Sequence, residues 1–220
     1  MEQLADDLYQ LKGFPPDAIN VWLMGDVIVD AASRHAGKRI LRQVEGRPVS
    51  AHALTHAHPD HQGASREICR TLGIPYWVPE GDVPVAETGD FGRFQETRFP
   101  SQISRALYGG PGHPVDRRLN EGDEVAGFQV LHVPGHTDGH VAYWRESDRS
   151  LILGDVLNNM HLLTGVRGLR EPPKAFTPDP ARNRESARRL AALEPALVLF
   201  GHGPPLRDTR RFVDFVSSLP

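Results

Sequence analysis

Apolar residues come in short runs along this chain, and most of the runs are of strand length. Residues 20–24 and 27–30 flank Gly25-Asp26, which predicts a hairpin of two strands with a tight turn. Residues 49–54 read as a buried strand, and 75–78, 125–133, 141–144, 151–153 and 196–200 as further strands. Helices fall between them. Residues 37–45 predict one and 65–72 another, the latter with Ile68, Cys69 and Leu72 on one face. Asp179-Pro180 supplies an N-cap and a first-turn proline for a helix running to about residue 193, and 209–219 close as a helix. Strands alternating with helices, with hairpins at the start and near the middle, predict a layered α/β fold with helices outside and sheet inside.

One stretch resists this pattern. Residues 87–119 are rich in Gly, Pro and Arg and carry Phe91, Phe94, Phe99 and Tyr108. An insertion of that length in a compact domain reads as a lid or binding loop, or as a surface excursion packed by its own aromatics. Residues 1–220 are otherwise expected to form a single domain.

Composition narrows the partners. The net charge of −3 gives no global electrostatic reason to expect nucleic acid or an anionic membrane. No apolar run reaches bilayer length, and the first residues lack the apolar core of a signal peptide. Cys69 is the only cysteine, so no disulfide forms within the chain. These features predict a cytoplasmic protein with no nucleic-acid or membrane partner, with its oligomeric state unwritten in the sequence.

The chemistry concentrates in Thr55-His56-Ala57-His58-Pro59-Asp60-His61, an H-x-H-x-D-H pattern at the end of a predicted strand. His56 and His58 are two residues apart in extended chain and can face the same side. Pro59 disfavours helix at His58, so Asp60 and His61 start the next element and can aim at a second ion. His136, Asp155 and His202 each follow a further predicted strand, and sites in α/β sheets gather beyond such strand ends. Five imidazoles and two carboxylates suit two divalent ions, zinc first, with iron or manganese also compatible. His140, His113, His161, His35, His52 and His132 carry no ligand motif and are expected as packed or surface residues. Cys69 is expected as a small buried hydrophobe.

These residues resemble the metallo-β-lactamase superfamily of metallohydrolases. Thr-His-Ala-His-Pro-Asp-His-Gln-Gly, Pro-Gly-His-Thr-Asp-Gly-His, Gly-Asp and Gly-His-Gly occur in that family's order and with similar spacing. The resemblance implies a four-layer αββα sandwich. It implies one ion on His56, His58 and His136, another on Asp60, His61 and His202, and Asp155 between them. A hydroxide shared by the ions would be the nucleophile. Asp60 and His61 would serve in catalysis as well as binding, and Asp30 would orient a ligand imidazole.

Departures from individual branches narrow the substrate. Asp155 stands where the cysteine-ligand β-lactamases carry a thiolate. The short stretch after His202 lacks the helical region of glyoxalase II, and no RNA-binding arm is evident. The resemblance therefore implies a hydrolase of a small ester, thioester or lactone. The alternatives are a phosphodiesterase of the same fold and a persulfide dioxygenase with a single iron on His56 or His58, His136 and Asp155.

Overall fold

The computed structural model describes residues 1–91 and 99–220. Seven strands form one sheet in chain order: β1 (Glu2–Ala5), β2 (Leu8–Gln10), β3 (Trp22–Met24), β4 (Val27–Val29), β5 (Ala51–Ala53), β6 (Tyr76–Pro79) and β7 (Arg117–Leu119). β1 to β4 pair antiparallel, and β4 to β7 run parallel. The second sheet contains β8 (Glu124–Val125), β9 (Phe128–His132), β10 (Val141–Arg145) and β11 (Ser150–Ile152). A ribbon of β12 (Asn158–Met160) and β13 (Arg167–Arg170) stands apart, and β14 (Leu197–Leu199) joins the second sheet in parallel beside β11.

Parallel neighbours need a crossover, and helices supply it. Between β4 and β5 lies α1 (Gly37–Val44); between β5 and β6 lie α2 (Pro59–Gln62) and α3 (Ser65–Leu72). α4 (Val83–Thr88) and α5 (Phe99–Tyr108) separate β6 from β7, while α6 (Pro180–Ala191) precedes β14 and α7 (Arg210–Ser217) follows it.

Strands β3, β4, β11 and β14 are apolar on both faces because both faces are covered. Trp22, Met24, Val27 and Val29 meet Phe128, Val130, Tyr143, Ile152 and Leu199 in a core between the sheets. The alternate positions Leu23 and Ile28 pack with Ile40, Val44 and Ile68 of α1 and α3. On the far side, Ala142, Leu151 and Val198 pack with Leu190, Phe212 and Val216 of α6 and α7. Two-residue side-chain alternation thus feeds a different layer from each face, and the result is helix, sheet, sheet, helix.

The structure refines several expectations. The predicted strand 125–133 is a hairpin, β8 and β9, turning on Ala126 (φ 48°) and Gly127 (φ 79°). Two consecutive positive φ values suit the tight hairpin turns that match strand twist. The stretch 87–119 holds α5 and β7, and Phe94 lies outside the described residues. Strands β1, β2, β12 and β13 had no clear apolar signal. No helix among the described residues is long and apolar enough to cross a membrane.

Candidate metal centre

All four ligand-bearing segments leave the carboxyl ends of strands: β5 toward His56, β9 toward His136, β11 toward Asp155 and β14 toward His202. His58 keeps an extended backbone (φ −85°, ψ 157°) as the N-cap of α2, as Pro59 requires. Asp60 and His61 sit in that short helix. Every predicted ligand is brought into one cluster. His56, His58 and His136 could hold one ion, and Asp60, His61 and His202 another. His61 and Asp155 also converge with His56. Asp155 reaches both sides: Oδ1 lies 3.5 Å from His61 Nε2, and Oδ2 lies 3.5 Å from His136 Nε2 and 3.2 Å from His202 Nε2.

Hydrogen bonds fix which nitrogen of each ring faces inward. Thr177 Oγ1 donates its proton to the Pro173 carbonyl, so toward His136 Nδ1 (3.1 Å) it accepts. His136 therefore carries its proton on Nδ1 and presents a bare Nε2. Thr55 Oγ1 donates to Asp30 and likewise accepts from His56 Nδ1 at 3.0 Å, leaving His56 Nε2 as an acceptor 3.1 Å from His58 Nδ1. His61 Nδ1 donates to Asp30 Oδ2 at 2.9 Å, and His202 Nδ1 donates to the Ala18 carbonyl at 2.5 Å. Each outer partner turns the other ring nitrogen into the cluster, the arrangement ligand histidines need.

Charge differs across the cluster. Burial holds His56 and His136 well below the ordinary imidazole range and brings His58 down to about 4. Burial also opposes a charge on His61, but Asp155 and Asp30 outweigh it and push the ring up to about 10. His202 rises for the same reason, against burial, beside Asp155 and Asp60. Burial would lift Asp60, yet the His202 hydrogen bond and His61 bring it down to about 2.

Metal ions fit these donors. Among the described residues, His61 Nε2, His136 Nε2 and Asp155 Oδ1 are buried without a hydrogen-bond partner. Buried polar atoms without partners are rare and costly, and here they converge on one point of imidazole and carboxylate chemistry. Glycine makes the room. A Cβ on Gly201 would lie 2.0 Å from Asp155 Oδ1 and 2.7 Å from His61 Cε1. A cavity of about 100 Å³ opens beside His58 and His136, bounded by Val85, Phe91 and Asp82.

Asp30 is fully buried at φ 61°, with Oδ1 accepting the Thr55 amide at 2.8 Å. His140 accepts the Asp155 amide through Nε2 at 3.3 Å and is not in the ligand groups. His52 is packed between the Ile28 carbonyl and Ser65, and Cys69 is a buried thiol that burial pushes up to about 12. Sequence reasoning missed Thr177, Asp82 and the role of Asn20. Asn20 Nδ2 holds the Phe200 and Gly203 carbonyls at 2.8 Å each, bracketing His202. Single polar residues in loops or at strand starts carry no pattern that could have marked them.

Comparison with known proteins agrees with this geometry. A family model described as the metallo-beta-lactamase superfamily matches residues 14–202. The chain is 30% identical over 195 residues to the probable metallo-hydrolase YflN of Bacillus subtilis, covering 82% of this chain and 71% of that one. It is 30% identical over 159 residues to a hydroxyacylglutathione hydrolase of Bdellovibrio bacteriovorus, covering 69% of this chain and 48% of that one. The crystal structure of TTHA1623 in a di-iron-bound form superposes with a TM-score of 0.61 at 29% identity, covering 94% of this chain and 91% of that one.

Proposed function

The chain belongs to the metallo-beta-lactamase superfamily and is a metal-dependent hydrolase, and from that premise we propose a dinuclear enzyme that cleaves a small ester, thioester or lactone. The observation that carries this reading is the convergence of buried imidazole and carboxylate donors from four strand ends, with His58 Nε2, His61 Nε2, His136 Nε2 and Asp155 Oδ1 lacking a hydrogen-bond partner. In it, His56, His58 and His136 would hold one ion and Asp60, His61 and His202 the other, with Asp155 within reach of both groups. Bound there, divalent ions would supply Lewis acidity and a nucleophile from water at neutral pH.

The chain's own residues do the rest. Asp60, brought down to about 2, is ionised at neutral pH and accepts hydrogen bonds rather than donating a proton. Asp30 fixes the His61 tautomer through the 2.9 Å bond to Nδ1. Asp60, His61 and Asp30 are thus the residues assigned catalytic or orienting roles. Val85 and Phe91 give the cavity beside His58 an apolar wall suited to an acyl or ring portion of a substrate. The name of the Bdellovibrio relative favours thioesters among the three substrate types.

The stretch 87–119 is proposed as the cover of this site within a single domain of residues 1–220. The end of α5 is anchored beside α2: the Tyr108 carbonyl accepts the Arg34 amide at 2.9 Å, and Gly110 leaves no room for a Cβ against the Gly63 carbonyl. Zinc is the proposed ion, with iron open because TTHA1623 binds two. A cytoplasmic location and independence of nucleic acid and membrane complete the reading.

Hydrolysis of a panel of neutral esters, thioesters and lactones tests it, alongside bis-(nitrophenyl) phosphate. Activity on the carboxylic substrates should vanish in His58→Ala and Asp60→Ala. Wild-type rates in either variant would overturn the site assignment. Preference for the phosphodiester would move the reading to a phosphodiesterase, and one iron per chain with oxygen uptake on persulfide would move it to a dioxygenase.

A further inference from the structure

Asp82 ends a 3₁₀ turn (Glu80–Asp82) between β6 and α4, away from every ligand motif. Its side chain is buried, with the residue only 4% exposed. Oδ2 accepts the Ala57 amide at 2.7 Å and the Thr137 hydroxyl at 2.9 Å, and Oδ1 accepts the Gly139 amide at 3.1 Å. Ala57 lies between His56 and His58, and Thr137 follows His136. The first loop leaves the first sheet and the second loop leaves the second. One carboxylate therefore ties together two ligand loops of different sheets.

The backbones are built for this approach. A Cβ on Gly81 would lie 2.8 Å from Gly139 Cα, and one on Gly139 would lie 2.5 Å from the Asp82 nitrogen. Hydrogen bonds to a charged acceptor are about twice as strong as neutral ones, so three of them on one buried group make a stiff joint. The rings that the joint spaces, His58 and His136, have centroids 4.5 Å apart.

We propose that Asp82 is a positioning residue that sets the spacing of His58 and His136, and through it the affinity of the ion these rings share with His56. This rests on the two-ion reading. Asparagine at this position keeps two acceptor bonds but turns an N–H toward the Gly139 amide, donor against donor. Thr137→Val removes one bond and leaves the carboxylate in place.

The test is titration of chelator-stripped protein with Co²⁺ alone, followed by its visible spectrum. His58→Ala identifies which equivalent belongs to the His56, His58, His136 side. Asp82→Asn should weaken that equivalent by roughly 10–100-fold, the cost typical of losing an outer partner. Thr137→Val should weaken it less, and the other equivalent should bind as in wild type. Unchanged affinity in both variants would overturn the proposal. So would equal weakening of both equivalents with a lower melting temperature of the metal-free protein, since Asp82 would then only stabilise the fold. A wild type that takes up a single equivalent would sink the two-ion reading, and Asp82 would be judged on whether Asp82→Asn weakens that equivalent. Should Asp82→Asn fail to fold, Thr137→Val decides alone.

Discussion

The two sides of the cluster share Asp155 and consist of buried histidines, with Asp60 alone partly exposed, yet they hold protons in opposite ways. On the His56, His58, His136 side, hydroxyls of Thr55 and Thr177 serve as outer partners, and burial keeps the rings neutral. On the Asp60, His61, His202 side, carboxylates face both rings from within and Asp30 faces His61 from without, and His61 is driven up to about 10. The first side is a set of neutral lone pairs, while the second is a compensated ion pair. A cation entering the first side displaces few protons. A cation entering the second side must displace those that the carboxylates hold.

Removing the shared residue should have the largest effect. Asp155→Ala takes a donor from both sides and should abolish hydrolysis and lower retention of both ions, read as metal per chain by mass spectrometry. Retention of one full equivalent would show that the sides are independent. Gly201→Ala comes next. Its methyl would press on Asp155 and His61, so metal content and activity should fall together at both sides. Loss confined to one side would show that Asp155 can shift away.

Outer partners should separate the sides. Asp30→Asn should weaken the His61 side by roughly 10–100-fold and reach the His56 side only indirectly through Thr55, and Thr177→Val should weaken the His136 side less, both read by Co²⁺ titration. The charged partner is expected to matter more because it also stabilises the charge on His61. Equal effects would erase the distinction.

The smallest effect is on pH dependence of the metal-free protein. The raised His61 contributes stability below pH 6.5 that is lost as pH climbs toward about 10. The lowered His58 acts in the other direction, with stability lost as pH falls from 6.5 through about 4. Melting temperature should therefore peak near pH 6.5 and fall on both flanks. In the Asp30→Asn variant the alkaline flank should flatten while the acid flank stays. Ion affinity at the His61 side should rise with pH up to about 10, and at the His58 side it should be nearly flat above pH 6.

The clustering of these histidines and carboxylates was legible in the sequence because metal chemistry allows few residue types and the strand ends compress them into short motifs. His56 through His61 needed only the alternation of an extended chain and the break at Pro59. The layers were legible because strands covered on both faces are apolar throughout, as β3 and β14 show. The ribbon β12–β13 was not, since Asn158, Asn159, Arg167 and Arg170 give it no apolar period. α5 hid behind the Gly, Pro and Arg around it. Asp82 and Thr177 act through bonds to loops far along the chain, and such partners appear only once both loops are folded.

The bracket around His202 joins distant parts of the chain. Ala18 and Asn20 lie between β2 and β3, yet they receive the ring and the flanking carbonyls of a loop that follows β14. During synthesis the donors His56, His58 and His136 leave the ribosome well before His202 does. The two halves of the centre are thus finished at different moments of the protein's birth. The three rings of the first group can meet while the segment of residues 18–20 still waits for the strand that carries His202.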